Sequence, residues 1–244
     1  EINGKLGIEG SSIINLDGLS NIVTIKGNLE ILWNSSLENL DGLNSLSIVD
    51  GYFHLQNNEV LTNIDALSSL NSVGNYISIS NHPSLINLNG LNSLTTLGAY
   101  LSITNNTELN DISGISNLDL SLIQNLNISN NSKLSVCNLP NICTYLQGTG
   151  FRTITDNAGN CVTEQAVNNA CNPTDCPQGS ITLATQSDVN QFLIDYPNCT
   201  EITGNLFIGI GTGTSNITNL SPLSKLTTVG GYLAIYSTSA SNLN

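Results

Sequence analysis

From Gly27 to Ile128 the chain repeats one pattern of apolar and polar positions about every 24 residues. Each copy opens with an alternation: Leu29 and Ile31, Phe53 and Leu55, Ile77 and Ile79, Leu101 and Ile103, Leu126 and Ile128 are apolar, with polar residues mostly between them. Alternation at period two over about five residues predicts a strand with one buried face. A second apolar set follows at a spacing of three, Leu37, Leu40, Leu43 and Leu46 in one copy and Leu61, Ile64, Leu67 and Leu70 in the next. Gly42, Gly90 and the surrounding Asn and Ser residues interrupt it, which predicts short strands joined by tight corners rather than a helix. A shorter copy starts at Gly4. One unit cannot bury its apolar face alone, whereas copies stacked at ~4.8 Å share an interior. The expected architecture is therefore mainly β, a β-solenoid.

Stacking also accounts for two columns of asparagine, Asn57, Asn81, Asn105 and Asn130, and Asn15, Asn39, Asn63 and Asn87 ending at Asp111. At a corner an asparagine tolerates left-handed dihedrals and hydrogen-bonds to neighbouring units, so both columns are expected to be structural ladders.

The repeat fades after Ile128, where the cysteines begin: Cys137, Cys143, Cys161, Cys171, Cys176 and Cys199. Their even number, and the absence of a C-x-x-C pair or of nearby histidine, point to disulfides and an oxidising, extracytoplasmic setting rather than a metal site. Proximity favours Cys137 with Cys143 and Cys161 with Cys171 among the three pairings that four cysteines allow. Asn138 with Pro140 suits one helix start, and Thr163 with Glu164 a second helix through Ala170, together a cap on the stack. A second domain then begins, since "EITGNLFIGI" from Glu201 matches "EINGKLGIEG" from Glu1 at Glu, Ile, Gly, Leu and Ile. The expected domains are residues 1–172, a solenoid whose own N-terminal cap lies upstream, and residues 173–244, the N-terminal cap and first units of another. That second cap is expected to carry a helix with Ser187 as N-cap and Val189, Phe192 and Leu193 on its apolar face, held by a Cys176–Cys199 bond. The start at Glu1 and the lack of Met read as a processed or excerpted piece of a longer, multidomain chain.

Composition narrows the function. Charged residues are 9% of the chain, and 18 acids against 5 Lys and Arg give a net charge of −13, which leaves no basic patch for nucleic acid or an anionic membrane. No apolar run is long enough to insert in a bilayer.

The cysteine, strand and capping helix, the "NCTEITGNL" turn and the L-x-I units of about 24 residues resemble the receptor L domain, a leucine-rich-repeat-like fold. That resemblance implies a right-handed β-solenoid. The "GLNSL", "VGGYL" and "ISNN" phrases are similar to repeats in flavobacterial (Bacteroidetes) surface proteins exported by the type IX secretion system. It implies a non-catalytic extracellular module, at the cell surface or secreted, that serves adhesion, scaffolding or binding of a protein or glycan through its outer face. A glycan-binding accessory module of a secreted enzyme is the alternative. An ice- or mineral-binding surface would need a regular threonine array, and the column Glu9, Leu32, Gln56, Ser80, Thr104, Ser129 is too mixed.

No catalytic residue, metal or cofactor is expected. His54 and His82 read as surface substitutions without a paired base. Asp17, Asp41 and Asp65 recur at one position, but the column continues as Asn89 and Ser113 and follows no calcium motif. The "GIGTGT" run from Gly209 to Thr214 lacks the Lys and helix of a phosphate loop and reads as an inter-repeat loop. N-x-S/T sequences at Asn34, Asn105, Asn127, Asn198 and Asn216 indicate glycosylation weakly in so Asn-rich a chain. The candidate ligand-binding residues are aromatic: Tyr52, Tyr76 and Tyr100 precede the inward residue in three successive units, as Tyr232 does later, and should stack outward. Trp33, the only tryptophan, stands where other units have Asn and is an exposed anchor or a packed corner.

Overall fold

The structure, a computed structural model, describes residues 1–171, 176–177, 179–210 and 215–236. Its Cα positions fall into two compact units, Glu1–Glu164 and Gln165–Asn244.

In the first unit the alternating segments form one parallel sheet. Its strands, Leu6–Glu9, Leu29–Leu32, Phe53–Gln56, Ile77–Ser80, Tyr100–Thr104, Asn125–Ser129 and Phe151–Thr155, pair in chain order. Register places Leu29, Phe53, Ile77, Leu101 and Leu126 in one column and Ile31, Leu55, Ile79, Ile103 and Ile128 in the next. All ten are fully buried, so the predicted alternation is observed. A second parallel sheet pairs four two-residue strands, Thr24–Ile25, Ile48–Val49, Ser72–Val73 and Thr96–Leu97.

The expected right-handed β-solenoid requires correction. The described strands lie in separate, open parallel sheets, none of which closes or forms a solenoid sheet. The reason lies in the second apolar set. Its spacing of three belongs to successive tight turns, with Leu43 N–H donating to Leu40 O, Leu46 to Leu43, Leu67 to Ile64 and Leu70 to Leu67, all at 2.8–3.0 Å. Residues three apart in 3₁₀ geometry lie on one side, so Leu40, Leu43 and Leu46 all point inward and are buried. These turns, including 3₁₀ segments at Asp65–Ser69, Asn89–Leu91 and Ser113–Ile115, stand where short strands were expected. Gly90 and Gly114 lie in this region because backbones approach closely there: a Cβ on either would overlap the carbonyl of Ile64 or Leu88 in the preceding repeat.

The asparagine columns divide the work differently from expectation. Asn57, Asn81, Asn105 and Asn130 adopt left-handed φ of 55° to 61°, and Trp33 (58°) and Asp156 (56°) share that role. The inter-repeat ladder is the next residue along: Asn34, Asn58, His82, Asn106, Asn131 and Asn157, all buried. From Asn34 to Asn131 each main-chain N–H donates to the side chain one repeat on, as Asn34 to Asn58 Oδ1 at 3.0 Å, His82 to Asn106 Oδ1 at 3.0 Å and Asn131 to Asn157 Oδ1 at 3.0 Å. The side-chain amides donate to strand carbonyls of the preceding repeat, Asn58 to Ile31 at 3.0 Å, Asn106 to Ile79 at 3.2 Å and Asn131 to Ile103 at 3.0 Å. His82 is thus a buried ladder member rather than a surface substitution, and Asn34 is buried away from any glycosylating enzyme. Asn15, Asn39, Asn63, Asn87 and Asp111 instead make local turns, each accepting from the N–H two residues on at 2.8–3.4 Å.

Helix α1, Pro140–Leu146, starts with Pro at its first turn, and the Asn141 amide ties it to Ile115 O at 2.7 Å and Leu118 O at 2.9 Å. All six cysteines are disulfide-bonded. Cys137 bonds to Cys161 with Cα atoms 5.3 Å apart, which overturns the pairing by proximity. Their separation of 24 residues is one repeat, so stacking rather than chain neighbourhood brings them together. Helix α2 spans Glu164–Cys171.

The second unit repeats the plan on a smaller scale. Ile181–Leu183, Leu206–Ile208 and Leu233–Ile235 form a parallel sheet, and Glu201–Ile202 pairs with Thr228–Val229. Helix α3, Gln186–Asp195, is capped by Thr185, which exchanges hydrogen bonds with Asp188, and not by Ser187. Val189 and Phe192 enter the core with Leu206, Ile208 and Ile217, while Leu193 stays exposed. The expected Cys176–Cys199 bond is present. Four residues of the "GIGTGT" loop, 211–214, lie outside the described residues.

Candidate functional site

The outward face of the seven-stranded sheet gathers three of the five aromatic candidates. Tyr52, Tyr76 and Tyr100 each stand immediately before a buried strand residue, so the period-two alternation turns them outward on adjacent strands. Their rings stack with centroids 4.5 and 4.4 Å apart and planes 8° from parallel. The stack covers ring faces: both faces of Tyr76 meet a neighbouring ring. What it offers solvent is a row of phenol edges and hydroxyls beside the polar columns His54, Ser78, Ser102 and Gln56, Ser80, Thr104.

The stack begins at a charged corner. The Tyr52 hydroxyl donates to Glu30 Oε1, and Lys5 Nζ reaches Glu30 Oε2 at 2.9 Å. The hydrogen bond from Tyr52, then that from Lys5, holds the Glu30 carboxyl below its usual range, and the same bond raises Tyr52. Burial between its neighbours, with their phenols adding, pushes Tyr76 up to about 12. Tyr52 and Tyr76 therefore stay neutral at physiological pH.

Trp33 is not part of this site. It lies past the far end of its strand, some five residues and roughly 16 Å along the strand direction from the tyrosine column, 59% exposed at a left-handed corner. Tyr232 holds the matching place in the second unit, its N–H bonded to Asn205 Oδ1 as that of Tyr52 is to Asn28 Oδ1, but no ring among the described residues stacks on it. Asp17, Asp41 and Asp65 are exposed, and among the described residues no cluster of three or more His, Cys, Asp or Glu is placed to hold a metal.

Two positions at the other end of the column went unread in the sequence. Register continues from Tyr100 to Asn125 and then to Phe151, which is 80% exposed. The steps there exceed 24 residues, which hides the alignment; the polar–apolar alternation of "FRTIT" was the signal available. Phe151 also borders a cavity of about 740 Å³ that Leu118, Leu120, Ile123 and Tyr145 line.

The outer sheet face, with its row of stacked tyrosines, offers amphipathic contact area to a ligand. The family model described as Receptor L domain matches residues 198–244, about a fifth of the chain, within the second unit. This likeness points to a non-catalytic ligand-binding module; receptor L domains in general bind protein ligands. A search of curated proteins and of solved structures returned no significant match. The disulfides, and the absence of any described helix long and apolar enough to cross a membrane, are compatible with an extracellular location.

Proposed function

We propose that the chain is a non-catalytic extracellular module that holds a protein partner at a cell surface through the outward face of its seven-stranded sheet. The tyrosine column carries this reading. Three phenol edges in a fixed row give a partner amphipathic contact area whose ordering cost is already met, because stacking has fixed the rings. The low charge and the Asn- and Ser-rich repeat phrases support a place in a longer adhesive surface protein of the flavobacterial type, exported by the type IX secretion system.

Single photo-crosslinking residues at Ser78 and Ser102 on the face, and at Thr95 beside the second sheet, test the reading on intact cell surfaces. A discrete cross-linked protein band from Ser78 and Ser102, absent from Thr95 and lost with Tyr52→Ala, is the expected outcome. Equal labelling from Thr95, or no labelling from the outer face of protein that still adheres, overturns it. The second reading, a glycan-binding accessory module, draws on a different part of the same column.

A further inference from the structure

Adjacent parallel strands lie ~4.8 Å apart, and the tyrosine rings match that spacing at 4.5 and 4.4 Å. At the next strand the column holds Asn125, and at the one after it Phe151. The stack thus lacks one ring, between Tyr100 on one side and the exposed Phe151 on the other. Two strand spacings separate these aromatic positions by about 9.6 Å.

We propose that this gap is a binding slot for one uncharged pyranose ring of a glycan. A flat ring sandwiched between two others needs ~3.5–4.0 Å of carbon–carbon contact on each side, about 7–8 Å in all. The gap is wider than that, by the thickness a puckered saturated ring adds with C–H bonds on both faces. Tyr100 has one face against Tyr76 and its other toward the gap, so it offers the open ring face that Tyr76 does not. The floor is the Asn125 side chain, which is exposed. The neighbouring outward column is Ser102, Asn127 and Thr153, all hydroxyl or amide and matched to sugar hydroxyls. Arg152, beside Phe151, turns to the other side of its strand and pairs with Glu164 at 2.7 Å, so the outward side chains named here are uncharged, which favours a neutral sugar over an acidic one. Such a site stands apart from the protein partner proposed above, since its contacts are ring faces rather than phenol edges.

The test uses the full chain on an array of neutral and acidic glycans, then calorimetry with the glycan retained. Binding of at least one neutral glycan is expected, weakened at least tenfold by Tyr100→Ala and by Phe151→Ala and unchanged by Tyr52→Ala. Phe151 is 80% exposed, so its loss leaves the core intact, which unchanged melting confirms. Asn125→Tyr completes the stack: it should abolish glycan binding while raising the melting temperature by a degree or more. No glycan retained, retention independent of Phe151, or N-acetyltryptophanamide occupying the slot in preference to sugars would each overturn the assignment. An Asn125→Tyr protein that melts no higher than wild type would refute the gap itself, whatever the face does with a protein partner.

Discussion

His82 interrupts a buried amide ladder, and replacing it with the asparagine its neighbours use should change how the protein responds to acid. Asn58 N–H donates to His82 Nδ1 at 3.2 Å, so the imidazole is neutral with its proton on Nε2. In an asparagine at this place the amide would reach the Leu55 carbonyl, as Asn58 reaches Ile31 and Asn106 reaches Ile79. His82 Nε2 instead makes no hydrogen bond. Burial, only partly opposed by the Leu55 carbonyl, lowers the folded pKa from 6.5 to about 4. Protonation would set a donor on Nδ1 against the Asn58 donor, in a site that excludes water.

The sign follows directly. A histidine whose folded pKa is depressed favours its neutral form, so its contribution is fully present above 6.5 and is lost as pH falls toward 4. At about 1.4 kcal/mol per unit, the loss approaches about 3.5 kcal/mol at the acid end and amounts to roughly 2.5 kcal/mol by pH 4.5. In a unit of this size that is a fall of ~5–10 °C in melting temperature between pH 7 and pH 4.5. His82→Asn should remove this component and gain about 1 kcal/mol at pH 7 from the restored hydrogen bond. Contributions from groups that the substitution does not touch are common to both proteins and cancel in the difference. Calorimetric melting of the two proteins at pH 7, 6, 5 and 4.5 measures it. Parallel curves across that range would show that the imidazole is not held neutral by burial, and the reasoning would fail.

Other parts of the ladder and the disulfide frame give further tests. Asn106→Leu strands the His82 N–H and the Ile79 carbonyl in the core and should cost about 3 kcal/mol or more, against about 1 kcal/mol for Asn63→Ala, which loses only a local turn; urea unfolding compares them. Cys137→Ser with Cys161→Ser opens a loop of 24 residues and should cost about 3 kcal/mol, read as a fall in melting temperature that reducing agent does not deepen at this site. Trp33→Asn relieves a bulky residue at φ 58° and should stabilise by about 1 kcal/mol, with cell-surface binding unchanged because Trp33 lies away from the tyrosine column.

The alternation that makes a half-buried strand is a local property, so Leu29 with Ile31 and Phe53 with Leu55 could be placed inward from sequence alone. The spacing of three at Leu40, Leu43 and Leu46 was ambiguous, because corner-joined short strands and successive three-residue turns bury the same positions; only the hydrogen bonds distinguish them. The ladder was misplaced by one residue for a related reason. The doublets Asn57–Asn58, Asn105–Asn106 and Asn130–Asn131 present two asparagines, one required by a left-handed backbone and one by buried hydrogen bonds, and burial is not written locally. Cys137–Cys161 was missed because chain proximity was weighed above the repeat, although their separation of 24 places them in one column.

Departures from the repeat are where function has room, since the repeat itself is explained by stacking. Three stand out, and burial ranks them. His82 departs from the ladder but is fully enclosed, so no ligand reaches it and its effect is confined to stability. Trp33 stands in for asparagine in the left-handed column and is exposed, but no other ring among the described residues stacks on it. Asn125 departs from the aromatic column in the open, with an aromatic position on each side, and so combines access with two ring neighbours. A tyrosine there would extend the stack at a spacing the strands already impose, and the protein forgoes that stabilisation at the one place where both flanking faces could hold something else. Whether Asn125→Tyr raises stability and removes binding together therefore decides if this break in the column is a site or a lapse in the repeat.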